Sequence, residues 1–299
     1  MSNILRIRPL GFPWETRDPF IFCVYHEDFY PVGNEQMGPA ASLSGRNLGQ
    51  DFTVKDGWRM YHGQNIPGFP NHPHRGFETV TVAYQGSVAH RDSAGNGGVI
   101  HPGEVQWMTA GAGVLHNEYH EESFAKAGGV MHMMQIWVNL PRKHKMAPPK
   151  YQALVNGAIP EVPLEGGKGL VRVLAGEYLD TKGVASTFSP VNMLDLRLKA
   201  GAVAHLRSPK DHNSALLILQ GKMKANTSAA LSEGDFLLFK NDGDEIRVEA
   251  LADGIALFLS GAPIEEPLVH YGPFVMNTVD EINEAVEDFN SGKFGRLED

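Results

Sequence analysis

Residues 71–86 read NHPHRGFETVTVAYQG. His72 and His74 stand one residue apart, Glu78 follows, and a run of β-formers closes on Gly86. In an extended strand residues i and i+2 project from the same face, so the two imidazoles point together and Glu78 shares their parity. Downstream, GEVQWMTAGAGVLHNEYHE (103–121) gives an apolar strand, glycine turns, and then His116 and Glu118, again two apart. If the two segments are neighbours in one barrel, His72, His74, His116 and Glu118 converge inside it.

Outward from this stretch the pattern is the same. The 33 glycines and 19 prolines punctuate short apolar segments at 77–86, 103–111, 129–140, 169–176, 191–201, 214–225, 234–240 and 254–261. Regularly spaced short strands predict an all-β chain, a sandwich or a barrel. One segment reads as helix, TVDEINEAVEDFNSGKFG (278–295). Thr278 and Glu281 make a capping box, Val279, Ile282, Val286 and Phe289 recur at helical spacing, and Gly292 is the expected stop. The polar, proline-rich PRKHKMAPPK (141–150) predicts a linker over 141–152, with domains at 1–140 and 153–299. The halves repeat. VTVAYQG (80–86) leads to HPGEVQWMTAG (101–111), as ALLILQG (215–221) leads to SEGDFLLFK (232–240), two copies of one β unit.

Three neutral imidazoles and one carboxylate suit a borderline divalent metal, iron, nickel, copper or zinc among them. Four protein ligands leave two octahedral positions open, room for O₂ and a chelating substrate. A net charge of −9 with no Lys/Arg-rich run argues against direct nucleic-acid binding. Cys23 is the only cysteine, so no intrachain disulfide forms, and a reducing, cytoplasmic setting is expected. No apolar run approaches the ~20 residues of a membrane span, and the first residues lack a secretory h-region. Neither a P-loop nor a dinucleotide fingerprint is present. RDSAGNGG (91–98) sits between two strands and reads as a hairpin.

The stretches NHPHRGFETVTVAYQG, GEVQWMTAGAGVLHNE, QIWVNLP and YGPFVMNT resemble the pirins, a branch of the cupin superfamily, over about residues 66 to 290. The resemblance implies two cupin (double-stranded β-helix, jelly-roll) barrels followed by the C-terminal helix. It places one metal, usually Fe(2+), in the N-terminal barrel, on His72, His74, His116 and Glu118; Ni, Cu, Mn or Zn are tolerated by the same ligands. Two functions go with it. One is a quercetin 2,3-dioxygenase-type oxidoreductase that cleaves a flavonol, a small aromatic chelating substrate, with O₂; Glu118, or alternatively Glu78, would take the substrate proton. The other is a non-enzymatic, redox-dependent regulator that binds a protein partner. Because a two-barrel chain already buries the faces that single cupins bury by dimerising, a monomer is expected.

Glu78 is expected as a fifth ligand or, in preference, as a group that orients a ligating histidine. His90, His101, His120, His132 and His144 read as surface or packing residues. Gln106, Met108, Met134 and Gln135 read as strand residues that line the pocket or fill the core. Counting from Gly221 and Gly234 puts Arg207, Pro209 and Arg247 at the positions of His72, His74 and His116, with Glu249 matching Glu118. The C-terminal barrel is therefore expected to hold no metal. His205 and His212 lie near that degenerate site at a different spacing.

Overall fold

The structure, a computed structural model, describes residues 3–297. It is all-β apart from the C-terminal helix, one short helix and three 3-10 turns among the described residues. The chain forms two compact units, each discontinuous in sequence. One is Val24–Ala153 with Glu266–Asp299, the other Met1–Cys23 with Leu154–Glu265. This differs from the linear division at 141–152, because each unit completes itself with the chain's opposite end.

In the unit built on Val24–Ala153, a five-stranded sheet runs in the order Lys150–Leu154, Val105–Thr109, Phe77–Gln85, Gly129–Asn139, Phe20–Tyr30. A four-stranded sheet runs Gly68–His74, Val114–His120, Val88–Asp92, Gly97–Ile100. Phe77–Gln85 lies between two partners and is buried on both faces until Gln85, so its sequence is a continuous apolar run rather than an alternation. Between the sheets, Tyr30, Trp58, Met60, Ala83, Val88, Met131 and Met133 pack into one apolar cluster.

The segment expected as a linker belongs to this fold. Arg142–His144 is a 3-10 turn, and Lys150–Leu154 is an edge strand beside Val105–Thr109. Lys145 is buried and donates to the Gly76 carbonyl at 2.8 Å, Asn139 Oδ1 at 2.7 Å and the Val275 carbonyl at 2.9 Å. Its polarity reflects an internal tie, not solvation.

The helix spans Val279–Asn290, with Thr278 accepting from the Glu281 amide and the Glu281 carboxylate accepting from the Thr278 amide, the capping box read from sequence. Its buried face is Ile282, Ala285 and Asp288, while Val279 is 61% exposed. The helix packs beside Phe274, Met276 and Phe294. Asp288 accepts from Arg75 Nη2 at 2.8 Å, and the Arg75 guanidinium lies over the Phe294 ring. Arg75 directly follows His74, so the helix braces the strand that carries both leading histidines.

In the other unit a seven-stranded sheet holds Asp235–Phe239, Asn213–Gln220, Gly254–Gly261 and Val191–Leu198 in the order that Val105–Thr109, Phe77–Gln85, Gly129–Asn139 and Phe20–Tyr30 follow in the first. The internal repeat is thus a repeat of strand order. Ile4–Pro9 pairs with Asp235–Phe239, Ile7 opposite Leu237, which is why residues 1–23 belong to this unit.

Candidate metal centre

Gly68–His74 and Val114–His120 are antiparallel neighbours, with His72 opposite His116 and His74 opposite Val114. Alternation then turns His72, His74, His116 and Glu118 to one side, the interior between the sheets. The ring centroids of His72 and His116 are 4.2 Å apart, those of His74 and His116 4.7 Å, and those of His72 and His74 4.7 Å. One nitrogen of each ring lies within 4.8 Å of the others. His74 and His116 are buried, while His72 keeps partial exposure and marks the approach from outside.

Burial decides the charge state. It pushes His72 down to about 4 and His74 and His116 well below the ordinary imidazole value, with repulsion from neighbouring imidazoles, His90 among them, adding to it. All three are neutral, as metal ligation requires. His72 Nδ1 donates to the Pro70 carbonyl at 2.8 Å, which leaves Nε2 as its lone-pair nitrogen. His74 Nδ1 and His116 Nε2 are buried with no hydrogen-bond partner. Buried polar atoms left unmatched are costly, and a cation among them would satisfy them. The donor set fits a divalent metal.

Glu118 stands beside these rings, grouped with His116 and His90, and not within the tight set of three histidines. Gln135 Nε2 donates to it at 2.9 Å and Thr81 Oγ1 lies at 3.5 Å. Burial raises its pKa, against the pull of His90 and of these hydrogen bonds. Beyond it a cavity of about 20 Å³ is lined by His26, Tyr61, Phe69, Val88 and Met133. Tyr61 is held by a buried network: its hydroxyl donates to Asp28, which Arg59 grips with two hydrogen bonds of 2.9 Å.

Glu78 is a correction. It lies on the other face of its sheet from the histidines. Thr81 on the same strand faces Glu118, and Ala83 joins the interior cluster, so the odd residues point inward and Glu78 outward. Its carboxylate accepts from Thr109 Oγ1 at 2.7 Å and contacts none of the histidines. Parity failed because the chain turns at Gly76, φ 88°, between His74 and Phe77, passing from one sheet to the other. In this structure its carboxylate meets none of the proposed ligands.

His90 is the residue that sequence reasoning missed. It is 1% exposed, sits opposite Glu118 in the strand Val88–Asp92, and brings Nδ1 to 3.3 Å from His116 Nδ1. The signal was available as H-x-D over residues 90–92, two polar residues of one parity in a strand otherwise read as a loop end. Of the others, His120 and His132 are buried by packing on Tyr30 and on Tyr25 and Tyr84, as expected. Gln106 and Gln135 line the centre, whereas Met108 packs with Ala110 and Val114, and Met134 takes the outward face.

In the second unit the glycine-based count slips by one. Arg207 is exposed, and Arg247 pairs with Glu249 at 2.8 Å, both partly exposed. The inward positions are Ala204, Leu206, Ile246 and Val248, within an apolar core of Leu196, Leu216, Ile218 and Phe258. A one-residue slip exchanges the two faces of a strand. His205 pairs with Glu245 at 2.6 Å, and His212 Nδ1 lies 3.0 Å from Ser260 Oγ.

Two family profiles match the chain: Pirin over residues 34–138 and the Pirin C-terminal cupin domain over 193–295. The chain belongs to the pirin family. A candidate quercetin 2,3-dioxygenase of Pseudomonas aeruginosa is 48% identical over 233 residues, 78% of this chain and 81% of that one. Pirin-like protein 2 of Arabidopsis thaliana is 39% identical over 236 residues, 76% of this chain and 71% of that one. The crystal structure of quercetin 2,3-dioxygenase from Acinetobacter baumannii superposes with a TM-score of 0.82 at 38% identity, covering 100% of both chains. The two-cupin architecture of the pirins is therefore that of this chain, and no helix among the described residues is long and apolar enough to cross a membrane.

Proposed function

We propose that this chain is a metal-dependent dioxygenase that cleaves a flavonol, quercetin or a close relative, with O₂. One divalent metal per chain, iron(II) first among the candidates, would be held by His72, His74, His116 and Glu118. The observation that carries this reading is the cluster of three neutral imidazoles, two of them buried, with two nitrogens left unmatched. The relatives named as quercetin dioxygenases support the reaction class.

The metal, when bound, would act as a Lewis acid that acidifies a chelating hydroxyl and draws substrate and O₂ together. The rest falls to the protein. Burial keeps the imidazoles unprotonated. Glu118, beside the imidazoles and oriented by Gln135 and Thr81, is the carboxylate placed to take the proton released by the substrate. Partly exposed His72 marks the side from which an aromatic ring enters, and the small cavity behind Glu118 has room for a water-sized molecule only. The single cysteine suits a reducing setting.

The test is metal content by mass spectrometry on anaerobically purified protein, wild type beside His74→Ala, followed by quercetin turnover under O₂. Near one iron per wild-type chain, lost in the variant, with metal-dependent quercetin loss, supports the proposal. Equal metal in both proteins sinks the ligand assignment, and metal without turnover sinks the reaction.

A further inference from the structure

We infer that His90, with the Asp92 carboxylate behind it, fixes which nitrogen of His116 faces the metal. The inference rests on the metal site proposed above and assigns a positioning role to residues outside its ligand set.

The geometry is specific. His90 Nδ1 and His116 Nδ1 face each other at 3.3 Å, both rings buried. Gln106 Nε2 approaches the same His90 nitrogen at 3.4 Å. On the far side of the ring, His90 Nε2 has no hydrogen-bond partner and faces an Asp92 carboxylate oxygen at 3.6 Å, an electrostatic contact and not a hydrogen bond. Asp92 is itself anchored, accepting from the Ala94 amide at 2.9 Å and from the Asn96 amide at 3.0 Å and side chain at 3.0 Å. Tyr151 stacks on the His90 ring, 5.3 Å between centroids at 12°. The ring therefore has a wall, a carboxylate behind it and a metal-facing histidine in front.

Two nitrogens at that distance need one proton between them, which gives two arrangements. If His90 Nδ1 carried the proton, His116 would keep its own on Nε2, the buried unmatched atom, and that atom would be closed to a metal. If His116 Nδ1 carries it, Nε2 presents a lone pair. Asp92 decides between them. The carboxylate oxygen nearest His90 Nε2 favours the tautomer with the proton on Nε2, which leaves His90 Nδ1 an acceptor for His116 Nδ1–H. The amide of Gln106 is a second donor aimed at the same acceptor. Ligating histidines generally give their other N–H to such a partner. Here the partner is an imidazole backed by a carboxylate, the orienting role that sequence parity offered to Glu78.

His90→Gln keeps an acceptor toward His116 and a donor toward Asp92, whereas His90→Leu keeps the volume and removes both. Two readouts decide. In metal-free protein, long-range ¹H–¹⁵N correlation reads the His116 tautomer. Wild type and His90→Gln are expected to show Nδ1–H, and His90→Leu a mixture. In the second, iron(II) or zinc(II) binding weakens by about 10–100-fold in His90→Leu and stays near wild type in His90→Gln. X-ray absorption shows the same number of imidazole ligands in both. An unchanged tautomer and affinity in His90→Leu would overturn the proposal. So would one imidazole fewer in metal-loaded His90→Gln, which would make His90 a ligand itself. If wild-type protein binds no metal, the proposed function fails, and the tautomer measurement still decides the role of His90.

Discussion

Replacing Glu78 by glutamine separates the two faces of the central sheet. The Glu78 carboxyl is 1% exposed, and burial pushes it up to about 7 from the ordinary 4.5, against the smaller pull of its Thr109 hydrogen bond. A raised pKa means the folded state prefers the protonated form. The stability it contributes is complete below pH 4.5 and is lost as pH rises through about 7. At 1.36 kcal/mol per unit the full shift is worth about 3 kcal/mol. Glutamine is a neutral isostere that still accepts from Thr109 and cannot ionise. Glu78→Gln is therefore expected to be nearly neutral at pH 5 and to stabilise by about 3 kcal/mol at pH 8, with metal affinity unchanged because the side chain points away from the histidines. Urea unfolding of wild type and variant at pH 5, 6, 7 and 8 measures this. A difference that does not grow with pH refutes the buried-carboxyl account, and loss of metal binding refutes the assignment of Glu78 to the outward face.

Three further outcomes are expected. His120, held at about 3 by burial, refuses a proton that the unfolded chain accepts below about 6.5, so it makes stability fall as pH drops between those values, by about 1.4 kcal/mol per pH unit. His120→Phe, which keeps the edge contact with Tyr30, should flatten the acid side of the denaturation profile by one proton. Gly68 has φ 141°, and a Cβ there would meet the Glu118 carbonyl oxygen at 2.3 Å. Gly68→Ala should cost on the order of 2 kcal/mol and lower metal retention after dialysis, since the strand carrying Glu118 must shift. Thr278→Ala should lose about 1 kcal/mol with the capping box, read as an earlier thermal transition in circular dichroism.

Much of the centre was legible because both ligand pairs lie within uninterrupted strands, where alternation is reliable. His72 with His74, and His116 with Glu118, needed only that their strands be neighbours. The same rule misled at Glu78, where a glycine turn reset the face, and at Arg247 and Glu249, where a glycine-to-glycine count missed by one residue. The helix was visible through its cap, but Val279, read as part of its buried stripe, is exposed because the helix docks through Ile282, Ala285 and the ion-paired Asp288. Ile4–Pro9 escaped notice because it is an edge strand with almost no buried residue, so its sequence carries little burial pattern. Phe20–Tyr30 mixes charged residues into a buried strand: Asp28 is fully enclosed and matched by Arg59, which no pattern of hydropathy reveals.

The exchange of ends has a consequence for biosynthesis. The histidines emerge from the ribosome early, yet the brace on the strand that carries them, Asp288 on Arg75, is translated only after the entire 154–265 segment. Nascent protein stalled at residue 265 would hold every proposed metal ligand and lack the Asp288 tie that braces their strand. A chain cut short before residue 288 would lose a tie to Arg75 that reaches back more than two hundred residues to the strand of His72 and His74.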